Sequence, residues 1–150
     1  GHSAWRGRFS DMPVAYLTRI VGFRATHRIA RADWTAEQNR ATFARAADDH
    51  PHEYQCRVTV KGALDAARGG VVNLEQLDAL LAREIRQRFD GKHLNVDIPE
   101  FASGARLATG EALSVYLWER LAGALPPGVM LHRIRIQEGP HLYSEYFGEP

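Results

Sequence analysis

The sequence predicts an α+β fold, an antiparallel four-stranded sheet covered on one face by two helices. Two long segments near the start alternate apolar and polar residues, two later segments carry leucines at helical spacing, and two further alternating segments follow. Strands grouped at both ends with helices between them are typical of such folds. We expect one domain over residues 1–150, with an irregular segment over residues 1–14. Gly1-His2-Ser3 resembles the remnant of a cleaved tag, so no role is assigned to His2.

The composition is that of an ordinary soluble protein, with 45% hydrophobic residues, 25% charged residues and a net charge of +1. This balance favours neither nucleic acid nor an acidic membrane as a partner. A single cysteine, Cys56, excludes an internal disulfide bond. No apolar segment is long enough to span a bilayer and none resembles a signal peptide, so the expected location is the cytoplasm.

Both early alternating segments are predicted to be strands. Residues 16–29 place Phe23, Ala25, His27 and Ile29 on one face. The second strand starts at His50-Pro51-His52 and carries Tyr54, Cys56, Val58 and Val60 on the face of the two histidines. Lys61-Gly62 and Arg68-Gly69-Gly70 then interrupt the alternation.

Helices are predicted where capping patterns precede periodic leucines. Thr35-Ala36-Glu37-Gln38 has the pattern of a capping box and predicts a helix to about Arg45, followed by a loop over residues 46–49. Asn73 is expected to cap a longer helix that ends at Asp90-Gly91. Its apolar stripe consists of Leu74, Leu77, Leu81, Ile85 and Phe89.

The last third of the chain is predicted as a loop, a helix and two strands. A loop over residues 92–107 leads to Thr109, whose hydroxyl is expected to cap a helix. Leu113, Leu117 and Leu121 form the apolar stripe of that helix. Residues 129–138 are predicted to be a strand with Met130, His132, Ile134, Ile136 and Glu138 on one face, and residues 141–146 a short final strand.

Three inward-facing histidines indicate a metal site. Residues i and i+2 of a strand face the same side, so His50 and His52 point together, and His27 lies on the apolar face of the preceding strand. Catalytic zinc uses three protein ligands and leaves a fourth position for water or substrate. A His-x-His pair alone is more often an ordinary polar or core feature, and the third histidine strengthens the metal hypothesis.

Cys56 and Glu138 are the other residues of chemical interest. Cys56 lies about 13 Å along the strand from His52, too far to share a metal, and a buried core thiol is the preferred interpretation. Glu138 ends an apolar strand face, where a carboxylate is costly to bury without paired donors. It is either an exposed strand-end residue or a bidentate acceptor for the amino and ring N–H edge of a guanine-like or pterin-like heterocycle.

A series of short segments between residues 23 and 148 stands in a characteristic order. They are Phe23-Arg24-Ala25-Thr26-His27-Arg28, Glu37-Gln38-Asn39-Arg40, His50-Pro51-His52-Glu53-Tyr54, Val58-Thr59-Val60-Lys61-Gly62, Gly70-Val71-Val72-Asn73-Leu74, Arg88-Phe89-Asp90, Leu94-Asn95, Thr109-Gly110-Glu111, Glu138-Gly139-Pro140 and Ser144-Glu145-Tyr146. No single segment is decisive. In their joint order the chain resembles the 6-pyruvoyl-tetrahydropterin synthase and 6-carboxytetrahydropterin synthase family.

The resemblance implies a tunnelling fold, whose subunits assemble into a ring-shaped homotrimer or homohexamer with active sites between subunits. It implies Zn²⁺ bound by His27, His50 and His52, a pterin ring anchored by Glu138, and a small-molecule substrate. Residues Thr109 and Glu111 match the family's Thr-x-Glu segment beside the substrate. The usual family substrate is 7,8-dihydroneopterin triphosphate.

The chain departs from the family at both proton-transfer positions. Ala46 stands where the family has its catalytic cysteine, and Gly91 replaces the histidine of the family's Asp-His pair, leaving Asp90. Pro51 replaces the usual glycine between two ligands, which stiffens the backbone. Loss of both proton-transfer partners is expected to remove most of the usual pyruvoyl-forming activity.

Replacement bases are expected among Asp48, Asp49 and His93. The first two also fit a solvated acidic turn, and His93 also fits a surface loop. Two hypotheses follow from the resemblance: a zinc-dependent enzyme with diverged lyase, aldol-type, isomerase or cyclase chemistry on a pterin or pterin-like molecule, and a non-catalytic relative that binds zinc and pterin. Standard synthase activity is the third and less favoured hypothesis.

Overall fold

The computed structural model describes residues 12–150 and contains a five-stranded sheet in the order β3-β1-β2-β4-β5. The strands are β1 (Val14–His27), β2 (His50–Ala63), β3 (Lys92–His93), β4 (Val129–Glu138) and β5 (Tyr143–Tyr146). The helices are α1 (Ala36–Phe43), α2 (Leu74–Leu81), α3 (Gln87–Phe89), α4 (Leu94–Asp97), α5 (Pro99–Ala102) and α6 (Gly110–Leu121). The predicted α+β class is confirmed, and the irregular segment expected over residues 1–14 lies mostly outside the described residues.

Four of the five strands form the antiparallel sheet that the sequence predicts. β1 pairs with β2 along its whole length, from Val14 opposite Ala63 to His27 opposite His50. The fifth strand, β3, is only two residues long and pairs in parallel with β1 at Ala25 and Thr26. Local sequence does not indicate so short a strand, because it forms only when its flanking elements bring it to the edge of the sheet.

A register shift between Thr59 and Val60 changes which residues of β4 face the core. The strict alternation predicted for residues 129–138 is therefore wrong at its start. Met130 is 62% exposed, whereas Leu131 is buried, and the expected face resumes at Ile134 and Ile136. A bulge inserts one extra residue into a strand, so side chains on either side of it follow different alternations.

The two long helical segments pack on one face of the sheet. Leu77 and Leu81 of α2 and the leucine stripe of α6 are buried against the apolar face of β1, β2 and β4, whereas Leu74 of the predicted stripe is 44% exposed. One turn of π-helix, Ala82–Arg86, separates α2 from α3, although the sequence suggests one uninterrupted helix. The buried residues that form this interface are Val21, Phe23, Cys56, Val58, Ile134, Ile136, Leu77, Leu81, Ile85, Leu113, Leu117 and Leu121.

Helix caps follow the sequence closely, whereas the two predicted loops contain extra structure. Thr35 forms the predicted capping box with Gln38, and Asn73 and Thr109 cap α2 and α6. A 3₁₀ turn, Ala44–Ala47, occupies part of the expected helix end and loop. The predicted loop over residues 92–107 contains β3, α4 and α5. The final strand begins at Tyr143 rather than at residue 141.

Within residues 12–150, no helix is long and apolar enough to cross a membrane.

Candidate metal centre

Three histidine side chains meet at one end of the sheet. His27 ends β1 and lies opposite His50 at the start of β2, while His52 lies opposite Ala25. One ring nitrogen from each histidine lies within 4.8 Å of the other two. The three rings stand edge to face, with centroids 4.5 to 4.9 Å apart. The structure therefore brings together the three residues that the sequence singles out as metal ligands.

Backbone carbonyl groups orient two of these rings. The Nδ1 of His27 lies 2.6 Å from the carbonyl oxygen of Ala108, and the Nδ1 of His50 lies 2.7 Å from that of Asp48. Because a carbonyl oxygen only accepts, each Nδ1–H donates and each Nε2 keeps a lone pair. Metal-ligating histidines usually have such a second hydrogen bond. The Nε2 of His27 is buried and has no hydrogen-bond partner among the described residues.

The surroundings favour neutral imidazoles at His27 and His52. Burial lowers the pKa of His27 to about 4, the charges of His50, His52 and His93 act in the same direction, and the hydrogen bond to Ala108 opposes them. Burial also lowers the pKa of His52, with a further contribution from His50. Neutral imidazole is the form that binds a metal ion.

Glu138 closes one side of the cluster. It ends β4 directly opposite Tyr54, its side chain is only 7% exposed, and its Oε1 lies 3.8 Å from the Nε2 of His27. Burial and the nearby charge of Glu111 raise the pKa of Glu138, while His50 lowers it. Of the two interpretations that the sequence allows, an exposed strand-end glutamate is therefore wrong. The carboxylate is buried and faces the histidines.

The first turn of α6 forms the wall beside Glu138. A Cβ atom added to Gly110 would lie 2.5 Å from the Oε2 of Glu138, so only glycine allows this close approach. Glu111 accepts a hydrogen bond from the hydroxyl of Ser144 at 3.3 Å. The Thr109 hydroxyl accepts from the backbone N–H of Ala112 at 3.1 Å, so it caps the helix.

Asp49 and His93 form a pair next to the three histidines. The Nε2 of His93 lies 3.2 Å from Oδ1 of Asp49, too oblique for a linear hydrogen bond, and its Nδ1 accepts from the backbone N–H of Asn95. Arg28 donates to the same Asp49 oxygen at 2.9 Å. The hydrogen bond from Arg28, with a contribution from His93, lowers the pKa of Asp49. The side chain of His93 is only 21% exposed, so it is not a freely solvated loop residue.

The remaining candidates are held elsewhere. Asp90 accepts a hydrogen bond from the backbone N–H of Arg24 at 2.9 Å, which fixes the start of the β3 connection to β1. Gly91, at the family's histidine position, has a φ angle of +74°, which favours glycine over a side-chain-bearing residue. The side chain of Asp48 is 60% exposed and pairs with Arg40, as expected of a solvated turn. Ala46 lies in the 3₁₀ turn and accepts a hydrogen bond from the backbone N–H of Ile29.

Cys56 is a core thiol, as the sequence indicates. It is fully buried, and burial raises its pKa to about 12. A thiol in this environment is neither nucleophilic nor available as a metal ligand.

Sequence reasoning placed Tyr54 on the inward face of β2 but gave it no role. Its ring lies edge to face with His27 and His52, and its hydroxyl is buried with no hydrogen-bond partner among residues 12–150. The alternation that brings His50 and His52 to one face also includes this tyrosine. That alternation is the signal by which it could have been found.

The chain is a small α+β protein with a candidate binding site at one end of its sheet. A histidine cluster and a buried carboxylate form that site. A sequence model of the family described as 6-pyruvoyl tetrahydropterin synthase matches residues 16–149. The chain is 34% identical over 138 residues to the 6-pyruvoyl tetrahydrobiopterin synthase of Poecilia reticulata. The matched residues are 91% of this chain and 92% of that relative. The human enzyme of the same name is 34% identical over 137 residues, 90% of this chain and 92% of the relative. The chain belongs to the 6-pyruvoyl tetrahydropterin synthase family.

Solved structures agree with this assignment. The 6-pyruvoyl tetrahydropterin synthase of Caenorhabditis elegans has a TM-score of 0.83 and 26% identity, and covers 92% of this chain and 98% of its own. The Plasmodium vivax enzyme of the same name has a TM-score of 0.62 and 13% identity, and covers 89% of this chain and 97% of its own. At this identity the likeness supports the fold alone. The tunnelling fold that the resemblance implies is confirmed.

Proposed function

We propose that the chain is a zinc-dependent enzyme that acts as a lyase or cyclase on a pterin or a pterin-like small molecule. The observation that carries this proposal is the convergence of three imidazole nitrogens within 4.8 Å, facing a buried glutamate. The relatives named 6-pyruvoyl tetrahydrobiopterin synthase supply the substrate class.

The donor set fits zinc. Two of the three histidines donate their Nδ1–H to backbone carbonyl groups, so the Nε2 atoms are the metal-binding atoms of His27 and His50. Three neutral imidazoles with an open fourth position are typical of catalytic zinc. A zinc ion bound here supplies a Lewis acid that polarises a hydroxyl or carbonyl group of the substrate.

Glu138 anchors the heterocycle in this proposal. Its carboxylate is largely removed from water and has no ion-pairing arginine or lysine in the described chain. An adjacent amino group and ring N–H of a pterin provide the two parallel donors that a buried carboxylate needs. Residues Thr109 and Glu111 belong to the same wall, the first by capping α6 and the second through Ser144.

His93 is the proposed proton-transfer residue, held by Asp49. The contact between these two residues lies beside the histidine cluster, and the Asn95 backbone fixes the orientation of the ring. Ala46 and Gly91 carry no group that exchanges protons. His93 and Asp49 therefore replace the functions that the resemblance assigns to those positions, and Asp90 acts only through the backbone of Arg24.

This replacement favours a diverged reaction over simple ligand binding. A proton-transfer group at a new position serves a different carbon or oxygen of the substrate, so elimination of triphosphate need not be the outcome. Aldol-type cleavage, isomerisation and cyclisation all use a Lewis acid and a proton-transfer group, which the proposed site provides. The Asp49–His93 pair is the observation that distinguishes this proposal from a non-catalytic relative.

Metal analysis and a substrate assay test the proposal together. The purified protein is expected to contain about one zinc per chain, and His50→Ala should lose both the metal and turnover. His132→Ala is the matched control, since that ring packs against Tyr16 outside the cluster. Incubation with 7,8-dihydroneopterin triphosphate, with separate measurement of triphosphate release and of pterin products, identifies the reaction. Full activity after metal removal would contradict the proposal, and tight pterin binding without any product would favour the non-catalytic alternative.

The proton-transfer assignment has its own test. His93→Gln keeps a side chain of similar reach and should lower kcat by about 10²- to 10⁴-fold, the usual contribution of a general acid or base. Zinc content and the KM for the pterin should stay close to those of the unmodified protein. An unchanged kcat would remove His93 from the mechanism and leave the metal assignment intact.

We also propose that the subunits assemble into a homotrimer or homohexamer with sites between subunits. β3 pairs with β1 only at Ala25 and Thr26, and the backbone of Arg24 is bonded to Asp90 and Gly91. Residues 14–22 of that edge have no strand partner among the described residues, so they can pair with a strand of another subunit. Val14, Tyr16 and Ile20 on this strand are each more than half exposed. Small-angle scattering and analytical ultracentrifugation measure the assembly, and a monomer that is fully active would exclude intersubunit sites.

A further inference from the structure

Tyr54 lies between the histidine cluster and the hydrophobic core. It follows His52 by two residues on β2, and its ring stacks on Phe23 with centroids 4.9 Å apart and planes 14° apart. The same ring meets His27 and His52 edge to face at 5.9 and 5.5 Å. Only 2% of the residue is exposed, so neighbours fix the ring on both sides.

The Tyr54 hydroxyl is a donor without an acceptor in the described part of the chain. It is buried, and no atom of the described residues accepts or donates a hydrogen bond to it. Buried tyrosine hydroxyls usually find a partner, because an unsatisfied polar group reduces stability. Tyr54 is paired with Phe23 on β1 and with Glu138 on β4, and the carboxylate of Glu138 does not form this hydrogen bond. A hydroxyl without a partner among residues 12–150 is available to a bound ligand.

The hydroxyl of Tyr54 and the carboxylate of Glu138 come from paired strands. Tyr54 carries a phenol hydroxyl, which can donate a hydrogen bond, and it lies directly opposite Glu138 in the pairing of β2 with β4. The carboxylate of Glu138 is an acceptor, and its Oε1 lies 3.8 Å from the Nε2 of His27. The histidine end of the sheet thus offers one donor and one acceptor from directly paired positions on β2 and β4.

We propose that Tyr54 is a substrate-binding residue whose hydroxyl donates a hydrogen bond to a carbonyl oxygen or an unprotonated ring nitrogen of the heterocycle that Glu138 anchors. This inference rests on the proposed function and adds a specificity determinant to it. A heterocycle with donors on one edge and an acceptor next to them satisfies both residues. A ligand that lacks the acceptor leaves the phenol unpaired and binds more weakly.

Tyr54→Phe tests the inference because it removes only the oxygen atom and keeps the stacking on Phe23. With neopterin as a fluorescent probe, the dissociation constant should rise about tenfold, in keeping with the loss of one hydrogen bond in a buried site. The melting temperature of the ligand-free variant should equal or exceed that of the unmodified protein, since an unsatisfied buried hydroxyl is removed. The matched control is Tyr116→Phe, which deletes the hydroxyl of another buried tyrosine that packs against Phe101 and should leave neopterin binding unchanged.

The outcomes separate this inference from the proposed function. If the unmodified protein and Tyr54→Phe bind neopterin equally well, the role of Tyr54 is refuted while the pterin assignment stands. A clear loss of thermal stability in Tyr54→Phe beyond that of Tyr116→Phe would mean that the hydroxyl has a structural partner, which also overturns the inference. If the unmodified protein binds no pterin, both the proposed function and the inference fail.

Discussion

Gly110→Ala is predicted to impair the site while preserving the fold. Alanine usually stabilises a helix relative to glycine. At Gly110, however, the new Cβ would lie 2.5 Å from the Oε2 of Glu138 and 3.1 Å from the Oγ of Ser144. An ordinary contact begins at about 3.4 Å. The difference between 3.4 and 2.5 Å, 0.9 Å, is the distance by which the carboxylate must retreat.

A displacement of this size is large for a binding carboxylate and small for the fold. Only the ends of the Glu138 and Ser144 side chains have to move, so the free energy of unfolding should change by no more than about 1 to 2 kcal/mol. A misplacement of roughly 1 Å in a positioned group reduces catalytic efficiency by about 10²-fold. We therefore expect a rise in the KM and in the neopterin dissociation constant, with zinc content retained.

Gly123→Ala provides the control, because nothing lies within 4 Å of a Cβ atom built at that position. Urea unfolding of both variants measures stability, fluorescence titration measures neopterin binding, and a crystal structure of Gly110→Ala locates the carboxylate. If Gly110→Ala binds neopterin as tightly as the unmodified protein with Glu138 displaced, Glu138 does not anchor the ligand. If the carboxylate has not moved, the packing argument is wrong.

Two further predictions concern residues outside the binding wall. Cys56→Ala should leave kcat unchanged and lower the free energy of unfolding by about 1 kcal/mol, because the thiol is a buried packing group. A kcat reduced tenfold or more in correctly folded protein would give this cysteine a role in the reaction. Glu84→Gln should lower the free energy of unfolding by about 1 to 2 kcal/mol near pH 7, since Glu84 accepts hydrogen bonds from Arg120 and Arg88. Burial raises the pKa of Glu84 and the arginines lower it, and the net result is a lowered pKa. The stabilising contribution of Glu84 is therefore complete above the ordinary carboxyl pKa. It disappears as the pH falls through the pKa of the folded state. Urea unfolding at pH 7 and at pH 3 measures this, with Glu37→Gln as an exposed control, and a difference that does not shrink in acid would contradict the ion-pair explanation.

Local sequence patterns account for most of the secondary structure. The alternation in β1 and β2, the leucine stripes of α2 and α6, and the caps at Thr35, Asn73 and Thr109 depend on neighbouring residues only, so each is visible in the sequence. The four principal strands and the two main helices follow from these patterns.

Local sequence patterns do not predict the bulge opposite Thr59 or the additional elements in residues 92–107. Bulges and short edge strands are determined by pairing partners and by packing, which no local window contains. Consequently the sequence placed Met130 on the wrong face and treated the segment that carries His93 as an unstructured loop.

The same division applies to the site. The sequence by itself determined that His50 and His52 face one side, since side chains alternate along a strand, and that Cys56 continues that face too far along to join them. The register that sets His27 opposite His50 was decided by the tertiary structure, because a slip of one residue would turn either strand over.

Only the tertiary structure brings Asp49 to His93 and sets Tyr54 opposite Glu138 in the sheet. These groups are 44 and 84 residues apart in the chain (93 − 49 and 138 − 54). Their contacts depend on the pairing of β3 with β1 and of β4 with β2. The residue types of the site are thus a property of the sequence, and their chemical partnerships are a property of the fold, because partners so distant along the chain are selected by the packing of the whole sheet.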